Sequence, residues 1–393
     1  MEKLAIIVSH PIQYYAPLFK LLHERNKIHI KVFYTWGPTA IKKYDPGFNR
    51  QVDWDIPLLE GYPFEWVENI AGDPGSHHFK GIVTPSLISR VDKWRPTSLL
   101  VFGWAYESHL KCLRYYKGKL PVYFRGDSTL IDQKNNFRRL FRAVFLTWLY
   151  RYVDHVFFVG ANNRAYFKKY GLKEDQLSFA PHAVENERFG RDHSEEVLIL
   201  KNQLGILPAD LVILFAAKLE EKKDPLLLMN AFLQLNQSGI HLIFAGSGPL
   251  ESILKKMASG NKSVHFIGFQ NQKMMPVLYQ ACDLFCLPSR GPGETWGLAV
   301  NEAMASGRAV LASDKVGSAD DLVTDKNGKI FKNGNLEELK DALKDLLGSK
   351  ARLQQLGQGS AQIIANYSLR AVAVAIESQL MKDAVHPNND SLS

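Results

Sequence analysis

Two glutamates, Glu294 and Glu302, stand eight positions apart in Asp283-Leu-Phe-Cys-Leu-Pro-Ser-Arg-Gly-Pro-Gly-Glu294-Thr-Trp-Gly297-Leu-Ala-Val-Asn-Glu302-Ala-Met-Ala-Ser-Gly307. Glu294 falls in a Gly/Pro loop and Glu302 inside a helix-like run. They are too far apart to share one proton, but each can hold hydroxyls at opposite ends of an extended ligand. On spacing alone they also suit a solvated surface. Upstream, Phe215-Ala-Ala-Lys218-Leu-Glu-Glu-Lys-Lys223-Asp-Pro225 sets two cations five positions apart, ahead of a proline that suits a helix start. Fixed cations near a helix N-terminus can neutralise a leaving diphosphate as charge develops on its oxygen. An isolated lysine pair is otherwise a basic turn.

Positioning these groups requires elements that end together. Short apolar runs at 4–8, 28–34, 99–102, 122–124 and 156–159 read as buried strands, because β-branched and aromatic runs of this length suit a parallel sheet. Helix-like segments at 16–25, 84–93, 105–117, 136–151 and 162–170 separate them. A second series of strands follows at 211–216, 242–245, 264–267, 284–287 and 310–312, with helical patterns at 225–237, 249–258, 274–281 and 299–306. This alternation predicts two α/β layers. The polar stretch 186–196 reads as a linker, 367–385 as a helix and 386–393 as a disordered tail. The expected division is an N-terminal domain over 1–190, a C-terminal domain over 191–366, and a terminal helix crossing back to the first domain. In such sheets ligands bind beyond the strand C-termini, where Pro288, Lys218 and Gly246 fall. The loop ahead of Gly297 and the helix after it then present amides to phosphate.

The chain's 393 residues fit two domains, and 46% hydrophobic with 22% charged residues excludes global disorder. The net charge of +8 is one-sided. Residues 1–190 hold 27 Lys+Arg against 18 Asp+Glu, whereas 191–393 hold 21 against 22. The basic half suits an anionic partner or merely a solvated surface. Cys112, Cys282 and Cys286 lack metal or disulfide spacing and suit buried thiols of a cytosolic protein. The first apolar run is a strand, not a signal peptide, and the runs at 99–102, 156–159 and 211–217 are too short to span a bilayer.

The 283–307 stretch resembles the E-x7-E motif of retaining glycosyltransferases of family 4. The match takes in Pro288-Ser289, Glu-Thr-Trp-Gly297 and Asn301-Glu302-Ala-Met-Ala-Ser-Gly307. The resemblance, strongest over 210–325, implies the GT-B fold: two facing Rossmann-like α/β domains with a nucleotide-sugar cleft between them. It implies that Glu294 contacts the donor sugar, Glu302 holds the ribose hydroxyls, and the backbone at Gly297, Leu298 and Ala299 binds the diphosphate. Lys218 and Lys223 take the phosphate positions, although Lys218 stands where Arg is more usual and so lacks bidentate geometry. Gly246, and Gly268 with Phe269, lie where the family wraps its nucleotide; the latter two would line the base pocket.

The acceptor half is less legible. His10, in Ser9-His10-Pro11-Ile12-Gln13-Tyr14-Tyr15, either acts on the acceptor or caps its loop, and the missing GxGxxG argues against a dehydrogenase site. Arg125 and Asp127 close another strand, where relatives place a polar residue against the transferred sugar. The segment from Phe179 to Phe189 resembles the family's exit to the linker, with Glu185 in place of Asp; His182 either approaches the cleft or serves as a hinge. Asp53-Trp54-Asp55 is a DxD of the kind that binds a metal in the other main glycosyltransferase fold, but it lies too early in the chain and reads as coincidence.

Residues 134–151 form a basic amphipathic pattern. Phe137, Leu140, Phe141, Val144, Phe145 and Trp148 share one arc, expected against the sheet, and Arg138, Arg139 and Arg142 share another. Leu146 and Leu149, near the arginines, would dip into anionic headgroups.

The resemblance thus implies a retaining, metal-independent glycosyltransferase without a cofactor, serving cell-surface polysaccharide or glycoconjugate synthesis. It would move sugar from a nucleotide diphosphate donor to a glycan or lipid-linked hydroxyl. The expected location is cytoplasmic, peripheral at the inner face of the membrane. A nucleotide-sugar epimerase of the same fold and a non-catalytic nucleotide-sugar-binding subunit are the alternatives. Nucleic acid is not an expected partner, because the electroneutral second half supplies no basic groove.

Overall fold

The computed structural model describes residues 1–41, 43–45, 50–131 and 137–385; the side chains of 41, 43–45, 50–52 and 137–139 are outside the description, as is the predicted tail at 386–393. The chain divides into two compact units. Unit 1 comprises Met1–Lys43, Pro57–His182 and Leu369–Ser393, and unit 2 comprises Tyr44–Ile56 and Ala183–Ser368.

In chain order unit 1 holds β1 (Lys3–Val8), α1 (Ala16–Arg25) and β2 (His29–Tyr34). A two-stranded ribbon follows, β3 (Lys43–Asp45) with β4 (Arg50–Val52), most of which groups with unit 2. Unit 1 continues with β5 (Phe64–Trp66), α2 (Leu87–Trp94), β6 (Ser98–Phe102), α3 (Glu107–Tyr116) and β7 (Val122–Arg125). It ends its main run with α4 (Phe137–Tyr150), β8 (His155–Phe158), α5 (Ala161–Lys169) and β9 (Leu177–Phe179). The sheet is parallel throughout, in the order β5-β2-β1-β6-β7-β8-β9.

Unit 2 opens with α6 (Asn186–Gly190) and α7 (Ser194–Gln203), then β10 (Leu211–Ala216), α8 (Pro225–Leu235), β11 (Ile240–Ala245), α9 (Glu251–Met257) and β12 (Val264–Gly268). It proceeds through α10 (Met275–Ala281), β13 (Leu284–Leu287), α11 (Leu298–Ala305), β14 (Ala309–Ser313), α12 (Ala319–Leu322) and β15 (Gly328–Phe331). After α13 (Leu336–Leu347) and α14 (Lys350–Ile364), the last helix, α15 (Leu369–Val385), belongs to unit 1. This second sheet is also parallel, ordered β12-β11-β10-β13-β14-β15.

Central strands are buried on both faces, which is why they read as unbroken apolar runs: every residue of β10, β13 and β14 is buried. Edge strands β5 and β9 are short and half-wet, which hid them in the sequence. The predicted linker at 186–196 is instead α6 and the start of α7 within unit 2. Phe189 is fully buried against Tyr279, and Arg188 donates to Gln272 O and Oε1 at 2.7 and 3.0 Å. The polar groups that suggested a linker are satisfied by these contacts. Each unit has its own apolar core, built around Val101 and Phe124 in unit 1 and around Ile213 and Phe244 in unit 2.

Candidate functional site

In both sheets the strand order reverses at an internal pair, β1/β6 in unit 1 and β10/β13 in unit 2. Loops leaving the C-terminal ends of such a pair diverge and leave room for a ligand. In unit 2 those loops carry the predicted Lys218–Lys223 and Ser289–Gly297 segments.

Lys223 Nζ pairs directly with Glu294 Oε2. The carboxylate is 7% exposed and also accepts from Ser289 Oγ at 3.1 Å. A second tie holds the same two loops: Asp224, with φ +47°, caps α8 and accepts from Arg290 Nε at 3.0 Å and its terminal nitrogen at 2.9 Å. The Arg290 amide donates to Lys222 O at 3.0 Å. Lys223 and Glu294 are therefore positioned by a braced pair of loops.

Gly297 caps α11 at φ +88°, and a Cβ there would lie 2.8 Å from Val316 Cγ1. The position demands glycine by both conformation and space. The peptide ahead of it is pinned by Gly317 N to Glu294 O, 3.0 Å, and Ser318 N to Trp296 O, 2.8 Å. The amides of Leu298 and Ala299 open the helix, where no preceding turn exists to accept from them. Glu302, on the next turn, is 3% exposed and accepts from Tyr279 Oη at 2.7 Å. Gly246 donates its amide to Gly268 O at 2.8 Å, and a Cβ on it would lie 2.0 Å from Ala217 O. Gly246, Gly268 and the start of the Lys218 loop thus meet at one sheet edge, beside the part-exposed Phe269. Sequence reasoning gave no role to Ser289, Arg290, Asp224 or Tyr279. Ser289 and Arg290 lie inside the recognised motif, whereas nothing local marks Tyr279.

Unit 1 gathers a second set. Ser9 Oγ lies 2.9 Å from His10 Nδ1, and the His10 ring meets Trp36 edge to face at 5.1 Å. Arg125, 3% exposed, donates to Ala180 O at 2.7 Å and Pro181 O at 2.8 Å, so its guanidinium braces the end of the unit instead of reaching into solvent. His182 stacks on Tyr15 at 6.4 Å. Burial, then the Arg125 charge, holds the His182 imidazole down at about 4, with Asp127 opposing. Burial and then Asp127 push the Tyr15 phenol up to about 12. His182 is thus a neutral ring near neutral pH, in the field of Arg125 and Asp127.

The discounted Asp53-Trp54-Asp55 lies in unit 2. Asp55 accepts from the Lys273 amide at 3.1 Å and Asp53 O accepts from Asn271 Nδ2 at 2.7 Å, which is loop bracing. The three cysteines are free and buried, and burial raises all three thiols, Cys282 to about 12. Among the described residues no helix is long and apolar enough to cross a membrane.

The membrane-helix reading needs correction. Lys134 lies outside the described residues, as do the side chains of Arg138 and Arg139. Leu146 and Leu149 are fully buried and cannot reach headgroups, whereas Leu140, Phe141 and Val144, expected against the sheet, are 65%, 76% and 65% exposed.

Across 97% of its length the chain superposes on all of HepE from Anabaena, solved with UDP and glucose, with a TM-score of 0.72 at 17% identity. Its fold is the GT-B fold of glycosyltransferases. Residues 198–362, most of unit 2, match the model of the glycosyl transferases group 1 family. Among curated proteins the chain is 28% identical over 216 residues to a sulfoquinovosyl transferase of Arabidopsis thaliana, covering 54% of this chain and 41% of the relative. It is also 28% identical over 239 residues to an alpha-monoglucosyldiacylglycerol synthase of Acholeplasma laidlawii, covering 58% of each. The chain spans about half the length of the curated relatives it matches.

Proposed function

We propose that the protein is a retaining glycosyltransferase resembling family 4, with the donor held by unit 2 and the acceptor by unit 1. The observation that carries this reading is the braced Lys223–Glu294 pair beside the glycine-capped start of α11, at the strand-order reversal of unit 2. The anomeric carbon–oxygen bond to the diphosphate breaks and a bond to the acceptor oxygen forms on the same face. The acceptor proton passes to the departing diphosphate. Lys218, Lys223 and the Leu298 and Ala299 amides stabilise the charge that accumulates there, and Glu294 and Glu302 hold sugar and ribose hydroxyls. Gly246, Gly268 and Phe269 surround the nucleotide, Asp127 meets the transferred sugar, and His10 and the neutral His182 serve the acceptor side. UDP in HepE and the diacylglycerol in the name of the Acholeplasma relative support the substrate classes. No metal or cofactor enters this scheme.

The test is product analysis with UDP-, GDP-, ADP- and dTDP-sugars, glycan and lipid-linked acceptors, and EDTA throughout. A product of unchanged anomeric configuration is expected. Conversion of a donor alone into its epimer, or donor binding without turnover, would replace this reading by one of the alternatives.

We further propose peripheral contact with an anionic membrane through Leu140, Phe141 and Val144, with exposed Arg142 beside them. Flotation with phosphatidylglycerol liposomes should carry the protein upward, and Phe141→Ser/Val144→Ser should leave it at the bottom. Equal flotation of both would refute the contact.

A further inference from the structure

The loop between β5 and α2, in unit 1 and apart from the residues assigned above, brings three metal-ligating side chains together. Nε2 of His77 and Nε2 of His78 each lie 3.3 Å from the same atom, Asp73 Oδ2. One ligand atom from each residue falls within 4.8 Å of the other two. The imidazoles meet edge to face with centroids 4.6 Å apart.

The separations suit coordination as well as pairing. Charge-assisted hydrogen bonds run at about 2.7–2.9 Å, shorter than either contact here. Tetrahedral zinc with bonds of about 2.0–2.1 Å has ligand–ligand edges of about 3.3–3.4 Å. Both contacts match that edge, and they share one vertex.

The loop is braced to keep this geometry. Asn69 Nδ2 donates to Gly81 O at 2.9 Å, and Asn69 Oδ1 accepts from the amides of Ala71 and Val83 at 3.1 and 2.8 Å. Gly75 N donates to Gly81 O at 3.0 Å. A Cβ on Gly81 would sit 2.2 Å from Gly75 O, and one on Gly75 would sit 2.5 Å from His77 Nδ1. Two glycines therefore let the loop close and let the His77 ring lie against the chain.

We propose that Asp73, His77 and His78 bind one divalent cation of the zinc class through the carboxylate and the two Nε2 atoms. Water completes the tetrahedron on the exposed side. Each ligating imidazole carries its proton on Nδ1, so the contact of His78 Nε2 with Asp73 O, 3.0 Å, gives way when the ion enters.

The test is zinc titration of the full chain against a chromophoric chelator, with X-ray absorption at the zinc edge. One tight equivalent with two imidazoles in its shell is expected. His77→Ala/His78→Ala should weaken it by about a hundredfold. Gly75→Ala keeps all three ligands but displaces the His77 ring and should cost about tenfold. Metal-free melting curves matching the parent show that the loss is not unfolding, as expected for a surface loop. Undiminished binding by the double variant, a shell without two imidazoles, or no tight equivalent in the parent would each overturn the proposal.

Discussion

Glu294 and Lys223 are each other's partners before any substrate arrives, which gives the pair a signature in both activity and stability. Lys223→Ala and Glu294→Gln should each lower kcat/KM by about 10²–10³-fold, the usual cost of removing one preorganised electrostatic group. Lys223→Ala also strands a buried carboxylate and should destabilise unit 2 by about 3 kcal/mol, whereas Lys223→Ala/Glu294→Gln should cost less than that single change. Steady-state kinetics and urea unfolding of the three variants check this; an additive double variant would mean that the pair is not coupled. Glu294, Glu302 and Gly297 were legible in the sequence because loop, cap and helix follow one another in the chain. The Arg290–Asp224 brace was not, since its partners lie 66 residues apart and meet only when β10 and β13 pair.

At the scale of elements, α15 belongs to unit 1 through a specific contact. Arg25 at the end of α1 donates from Nε and a terminal nitrogen to the two oxygens of Glu377, 2.8 and 2.7 Å, and Glu377 is 1% exposed. Tyr123 Oη adds a bond to Asp383 at 2.6 Å. Arg25→Ala leaves a buried charge uncompensated and should cost about 3 kcal/mol. It should also expose α15 to limited proteolysis ahead of the rest of unit 1; an unchanged cleavage pattern and melting curve would contradict this. A helix was expected at 367–385, but its anchoring residue was not, because Glu377 reads as one more surface glutamate. α4 shows the complementary limit. Its sequence has apolar residues on two arcs, and periodicity alone does not say which one the sheet takes; Leu146 and Leu149 won, and Phe141 was left outside.

For the whole molecule, the two units should differ in their response to acid. His109, His155 and His182 all lie in unit 1, and burial is the first cause holding each at about 4. The unfolded chain protonates them near pH 6.5, so it takes up protons first. The stability these neutral rings allow is complete above that pH and is lost as pH falls toward 4. The slope is about 1.4 kcal/mol per pH unit for each histidine within that window. Calorimetry between pH 7.5 and 5 should show a unit 1 transition falling faster than that of unit 2, with uptake of close to three protons on unfolding at pH 5. Parallel shifts of both transitions would refute it.

The sequence by itself determined the alternation of strands and helices, the central strands of both sheets and the loop, glycine cap and helix that carry Glu294 and Glu302. Each of these rests on residues close together in the chain, or on strands buried on both faces and therefore uniformly apolar. Tertiary structure alone decided that 44–56 groups with unit 2, that 186–196 packs within unit 2 as α6 and the start of α7, and which arc of α4 faces solvent. It also decided that Arg125 is a brace, and that Asp73, His77 and His78 converge on one point. Burial and hydrogen-bond partners are set by residues distant in sequence, so a polar side chain paired inside a unit and one left in water look the same until the chain has folded.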